Sequence, residues 1–247
     1  MTDNAYAHPR LAKLYDGFEG DRSDLDCYVE VLSEAGVRSV LDVGCGTGVF
    51  ALRLSDLGLE VTGVDPGAGV IDVARAKPGA DAVRWIVGEA ADALPIQVDA
   101  VTMTANVAMV FTSDDHWEAT LQAIHAALRP GGLLAFESRN PADRGWDRWG
   151  HPCMEMDVAD ERIVTSQEVT SVNLPLVTFV DTNRFLSDGE VLTSTSTLRF
   201  REEAEIRTSL KECGFTEIDV RDLPYAPGRG WLVVCRKPAG KFVELFI

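Results

Sequence analysis

The sequence predicts an α/β fold built on a doubly wound, mostly parallel sheet. Three observations carry that expectation. Short apolar runs alternate with helix-like stretches from Ser39 to Ser138, and a glycine loop, Gly44-Cys45-Gly46-Thr47-Gly48, follows the first of those runs. The chain also has 247 residues, 46% of them hydrophobic, enough to bury one large core without disulfides or metals.

The elements follow in order. "RLAKLYDGF" sets Leu11, Leu14, Tyr15 and Phe18 at i, i+3, i+4 and i+7, the spacing of one apolar helix face. A second helical stretch, Asp24 to Ala35, stops at Gly36, which suits a left-handed cap. "SVLDV" then reads as a short buried strand, and "FALRLSDLG" after the glycine loop as a helix ending at Gly58. "LEVTGVD" is a strand, "GVIDVARAK" a helix stopped by Pro78, and "VRWIVG" and "VDAVTMT" are the third and fourth strands. "SDDHWEATLQAIHAALRPGG" begins at a Ser113 cap with two carboxylates in its first turn and ends at Pro-Gly-Gly, and "LLAFES" is the fifth strand. Five strands separated by helices are βαβ units, which place ligands beyond the strands' carboxyl ends.

After Asn140 the rhythm changes. "RIVTSQEVTSV", "LVTFVDTNRFL" and "EVLTSTSTLRF", with an Asp188-Gly189 turn, read as a small antiparallel insertion without helices. "EEAEIRTSLKECG" returns to helix, and "FTEIDVRDL" and "GWLVVCR" close the chain as a strand pair. The expected division is residues 1–36 as N-terminal lid helices, 37–140 with 201–237 as a core, and 141–200 as a β-rich insertion. The last residues, "KPAGKFVELFI", carry no assignment.

Composition narrows the partners. A formal charge of −16 repels phosphate backbones and anionic lipid heads, so neither nucleic acid nor a membrane surface is an expected partner. The longest uncharged stretch, Ala100 to Ser113, is too short to span a bilayer, and the N-terminus lacks the apolar stretch of a signal peptide. Five scattered cysteines without a C-x-x-C pair fit reduced thiols in a cytoplasmic protein. His8, His116, His125 and His151 lie far apart without paired spacing, so no metal site is expected.

The glycine loop decides the ligand class. A dinucleotide fingerprint needs G-x-G-x-x-G, and Val49 stands where its third glycine belongs. No Gly-Lys-Ser/Thr end completes a phosphate-binding P-loop. Asp42, two residues before Gly44, would repel a pyrophosphate and would favour an ammonium or sulfonium group.

Together, Asp42 and the run Gly44, Cys45, Gly46 and Gly48 resemble the first motif of the class I S-adenosylmethionine-dependent methyltransferases. Asp65, followed by Pro66, ends the second strand where that family carries an acid for the ribose hydroxyls. Glu89 and Ala90 follow the third strand where it places a contact near the adenine amino group. The resemblance covers residues 36–140, and the closing strand pair matches the family's Rossmann-like, seven-stranded sheet. It implies S-adenosyl-L-methionine as cofactor, with Met103 and Thr104 also at its site. The activity it implies is methyl transfer to nitrogen or oxygen of a small molecule.

For the acceptor pocket, position nominates Asn106 after the fourth strand and Glu137 and Arg139 at the end of the fifth. The stretch "KLYDGFEG" is similar, more loosely, to the lid helix of small-molecule N-methyltransferases acting on amino sugars and glycine. That likeness adds Tyr15 and Glu19 as pocket candidates; Tyr15 could equally complete the apolar stripe of its helix. Trp146 and Trp149 open the insertion and could wall an acceptor or pack beneath the small sheet. No residue is identified as a catalytic base. The alternatives are a cofactor-binding sensor or scaffold without turnover, and an aminopropyltransferase, for which acidic residues after the fourth strand are missing.

Overall fold

The structure is a computed structural model, and residues 4–240 of it are described. Its strands in chain order are β1 (Ser39–Val43), β2 (Glu60–Asp65), β3 (Val83–Val87), β4 (Val98–Met103), β5 (Leu128–Arg139), β6 (His151–Val158), β7 (Glu161–Asn173), β8 (Leu176–Phe185), β9 (Val191–Arg199), β10 (Thr216–Asp222) and β11 (Gly230–Arg236). The helices are α1 (Asn4–Ala7), α2 (Pro9–Glu19), α3 (Asp26–Glu34), α4 (Val49–Asp56), α5 (Ala68–Ala76), α6 (Asp114–Ala127) and α7 (Glu203–Glu212).

Seven strands form one sheet in the order β10-β11-β5-β4-β1-β2-β3. β1 pairs in parallel with both β2 and β4, so the chain's direction across the sheet reverses there and opens a crevice at the strands' carboxyl ends. β11 lies antiparallel between β5 and β10. All five residues of β1 are buried, as a strand covered by helices on both faces requires. One face packs Leu41, Met103 and Phe136 with Trp117 of α6, and the other packs Val40, Ala100 and Leu133 with Tyr28 of α3 and Phe50 of α4. Burying full-sized apolar chains on both faces makes this sheet the rigid frame from which the site residues project.

The remaining strands form a second, antiparallel sheet in the order β6-β7-β8-β9. Leu11 and Leu14 of α2 dock into it against Val158, Ile163 and Phe185. Gly17 is required there, because an added Cβ would lie 2.3 Å from a Val158 methyl. At the start of α2 the Arg10 guanidinium stacks 3.6 Å over the Phe185 ring and pairs with Glu161, Asp188 and Glu190 at 2.9, 2.7 and 2.6 Å.

Several elements differ from the expectation. The small sheet has a fourth strand, β6, closed onto β7 by Ala159 and Asp160 at φ 49° and 64°, the left-handed pair of a tight hairpin. Pro-Gly-Gly does not end α6 as a loop: the helix stops at Ala127 and residues 130–132 run inside β5, where the register against β4 shifts. The stretch from Asp24 begins as a 3₁₀ turn, Ser23–Leu25, before α3. Phe18 is 45% exposed, so the apolar stripe of α2 ends at Leu14. Residues 241–247 of the unassigned tail lie outside the described residues.

Candidate functional site

The glycine loop leaves β1 at the reversal point. The Gly44 and Cys45 amides both donate to the Val64 carbonyl on β2, at 2.8 and 3.2 Å, which turns the chain sharply across the strand ends. Gly44 (φ 70°) has no room for a side chain, since a Cβ would lie 2.5 Å from Val107. Gly48 (φ 79°) is closed off by the Trp85 ring at 2.4 Å. Over Gly46, by contrast, a Cβ would meet nothing within 4 Å, so the tip of the loop faces open space. Cys45 itself is buried, with its sulfur turned toward Gly63.

Two buried carboxylates flank this loop. Asp42 is 1% exposed; its Oδ1 accepts from the Thr102 hydroxyl at 2.8 Å, while Oδ2 is shut off from solvent without any hydrogen-bond partner. Burial pushes its pKa up to about 7, opposed by the Thr102 hydrogen bond and reinforced by the neighbouring charge of Asp65. Asp65 ends β2, and its two oxygens accept from the Gly46 amide at 3.0 Å and the Gly67 amide at 2.7 Å. Burial raises its pKa, and the two amides counteract that. A carboxylate offers roughly four acceptor positions, so two stay available. Pro66 is exposed beside it, and α1 lies over the next turn, with the Tyr6 carbonyl 2.8 Å from where a Gly67 Cβ would stand.

The other expected contacts divide. Glu89 is exposed: it caps the 3₁₀ turn Ala90–Ala93 and sits 3.3 Å from His116 Nε2. Ala90 and Met103 turn into the core, which leaves only their backbone facing the crevice, whereas Thr104 is buried at the end of β4. Beyond Thr104 the chain takes two successive left-handed non-glycine residues, Ala105 (φ 52°) and Asn106 (φ 62°), a strained arrangement that surrounding contacts must hold.

Glu137 supplies that hold. Its Oε1 accepts from the Asn106 amide at 2.9 Å, and its Oε2 accepts from the hydroxyls of Tyr28 at 3.1 Å and Tyr225 at 2.6 Å. The carboxylate is buried, and burial pushes its pKa up, with the two tyrosines opposing. Neither tyrosine is foreshadowed by the sequence, because they lie 109 and 88 residues away along the chain. The Arg139 guanidinium stands two residues further along β5, 5.1 Å from the Trp149 ring, and its Nε is buried without a hydrogen-bond partner.

The N-terminal helices cover the same end of the sheet. Asp16 accepts a short hydrogen bond from the Thr47 hydroxyl in the glycine loop and pairs with Lys77 at 2.5 Å, tying α2 to the loop. Tyr15 lies half-buried with its ring 5.9 Å from that of Tyr6. The side chain of Glu19 lies outside the described residues. Trp146 packs edge-on against Phe200 at 4.7 Å and is buried with Met109 and Val177, so it serves the small sheet; Trp149 is half-buried.

Residues 40–132 match the family model of a methyltransferase domain. The chain is 32% identical over 107 residues to the cypemycin N-terminal methyltransferase of Streptomyces sp, covering 43% of this chain and 44% of that protein. It is 31% identical over 134 residues to the malonyl-[acyl-carrier protein] O-methyltransferase of Pseudescherichia vulneris, covering 53% and 51%. The chain thus spans about half the length of the curated relatives it matches. Among solved structures, the CcbJ methyltransferase from Streptomyces caelestis superposes with a TM-score of 0.71 at 22% identity, covering 89% of this chain and 91% of that one. The SAM-bound amino pentose methyltransferase CalS10 from Micromonospora echinaspora gives 0.68 at 21%, covering 90% and 94%. At such identities the structural likeness is one of fold. Among the described residues no helix is long and apolar enough to cross a membrane.

Proposed function

We propose that this chain, whose residues 40–132 match the model of a methyltransferase domain, transfers a methyl group from S-adenosylmethionine to nitrogen or oxygen of a small molecule. The observation that carries this reading is Asp65: a buried carboxylate at the end of β2, beside the glycine loop, with acceptor capacity left for two neighbouring hydroxyls. Two further features favour the fit. Asp42 Oδ2 is a buried acceptor with no donor, suited to the cationic end of the ligand, and the space over Gly46 is open.

When bound, the cofactor supplies a methyl group already made electrophilic by its sulfonium. The protein's part is then orientation and exclusion of water. In our reading Asp65 holds the ribose, the loop from Gly44 to Gly48 supports the amino acid portion, and α1 and α2 close over both. The loop after β4, braced by Glu137, positions the acceptor, and residues 141–200 form its cap. The charge of −16 favours a small acceptor over nucleic acid.

The test is transfer of radiolabelled methyl from S-adenosylmethionine into fractionated metabolite pools, amines and phenols first. Label in a small-molecule fraction, lost with Asp65→Ala, is the expected result. Tight cofactor binding with no transfer to any pool would replace the enzyme by a sensor.

A further inference from the structure

Two polar side chains at the carboxyl ends of adjacent strands are left under-partnered. Asn106 and Arg139 each stand three residues beyond the register pair Met103–Phe136 of β4 and β5. The Asn106 side-chain oxygen is buried without a hydrogen bond, while its amide is fixed by Glu137. The Arg139 guanidinium has, among the described residues, no hydrogen bond and no ion pair; it lies over the Trp149 ring, with Glu137, Asp143 and Arg148 the charged groups near it.

Arg201 shows what a guanidinium with a packing role looks like in this same protein. It too lies over a tryptophan, 4.8 Å from the Trp117 ring, but it donates to the carbonyls of Ala108 and Phe111 at 3.3 and 2.7 Å. Arg139 makes no such bonds, and leaving its buried Nε without an acceptor is costly. Glu137 favours the Arg139 charge across space, but its oxygens bond two hydroxyls and an amide and make no hydrogen bond to the guanidinium.

We propose that Arg139 and the side chain of Asn106 form a recognition corner for an oxyanion carried by the acceptor, with Trp149 walling the flat or apolar body attached to it. A planar guanidinium presents paired donors that match a carboxylate, and a half-turn of the Asn106 side-chain amide, which exchanges its unbonded oxygen for the NH₂, adds a third. In a chain of charge −16, a half-buried guanidinium with no hydrogen bond or ion pair among the described residues selects for anionic acceptors that the rest of the surface repels. This deepens the function proposed above and rests on it.

The experiment is calorimetric titration of the full chain, saturated with S-adenosylhomocysteine, with four probes of one shape: benzoate, phenyl phosphate, benzamide and benzylammonium. Benzoate is expected to bind, and Arg139→Met, which keeps a flexible side chain against Trp149, is expected to weaken it about tenfold or more. Asn106→Asp, which leaves Arg139 in place and adds a repelling charge, should act in the same direction. S-adenosylhomocysteine affinity should stay unchanged in both variants, which also reports that they fold. Phenyl phosphate binding more tightly than benzoate, with the same dependence on Arg139, would support the corner and assign it to a phosphoryl group. Benzamide or benzylammonium binding as well as benzoate, indifference to Arg139→Met, or no oxyanion binding at tens of millimolar would each overturn it. Failure of the wild type to bind S-adenosylhomocysteine at all would instead remove the methyltransferase reading, and this inference with it.

Discussion

The two sheets solve different problems. In the seven-stranded sheet, β1 and most of β4 are buried on both faces, and the carboxylates it hides, Asp42, Asp65 and Glu137, stand at or near the carboxyl ends of their strands. In the four-stranded sheet most residues are exposed or half-exposed, and its hidden face mixes Ile163 and Phe185 with Thr165, Asn183 and Ser194. The first sheet holds its carboxylates against a desolvation cost by packing both faces and giving them hydrogen-bond donors. The second has too little apolar burial for that; in the proposed function it is a cover, and it is joined to α2 by one small cluster and the Arg10 ion pairs.

That contrast can be broken most severely at its rigid end. Leu41→Ala, on the fully buried β1, should cost ~2–5 kcal/mol in denaturant unfolding and lower amide protection throughout the main sheet. Phe185→Ala should lose ~3–5 kcal/mol of local packing, yet hydrogen exchange should quicken only in β6 to β9 and α2, leaving β1 and β4 protected. Uniform quickening after Phe185→Ala would mean that the two sheets are one cooperative unit.

The electrostatic side of the comparison is Asp42. Its pKa in the folded protein is about 7 against an ordinary 3.8, so between those values the folded state binds the extra proton. Stability from this group is therefore present at low pH and is lost as pH rises from about 4 to about 7, at up to ~1.4 kcal/mol per unit. Asp42→Asn should flatten that slope and raise the melting temperature at pH 8. On the proposed function, in which Asp42 receives the ligand's ammonium, wild-type affinity for S-adenosylhomocysteine should weaken below about pH 7 as that carboxylate gains its proton. The smallest effect falls on the cover: Arg10→Met should scarcely change stability but should release bound S-adenosylhomocysteine severalfold faster in stopped-flow, and more so at low salt.

What was legible in the sequence follows the same division. The main sheet's strands and helices were readable because periodicity and glycine stops are local signals, and Asp42, the glycine loop and Asp65 were readable because βαβ order places them at strand ends. β6 was missed because His151, Pro152 and Cys153 at its start break the alternating pattern of a strand, and the opening residues of β5 because Pro-Gly-Gly reads as a stop. The supports of the site were illegible for a different reason. Tyr28 and Tyr225 on Glu137, and Asp16 on Thr47 and Lys77, join segments far apart in the chain, where one sequence carries no trace of proximity. Side-chain direction was equally hidden: Met103 and Glu137 both lie toward the carboxyl ends of buried strands, yet one points into the core and the other into the hydrogen-bond network that braces the crevice.

On this account the crevice at the carboxyl ends of β1, β2 and β4 is built for an adenosyl group whose ribose rests on Asp65. Diffraction from crystals grown with S-adenosylhomocysteine addresses it directly. Both ribose hydroxyls should lie within hydrogen-bond distance of the Asp65 carboxylate, with the amino acid tail along Gly44 to Gly48 on the side of Asp42. Density for the nucleoside elsewhere, or a crevice that stays filled by α1 at saturating ligand, would contradict the account.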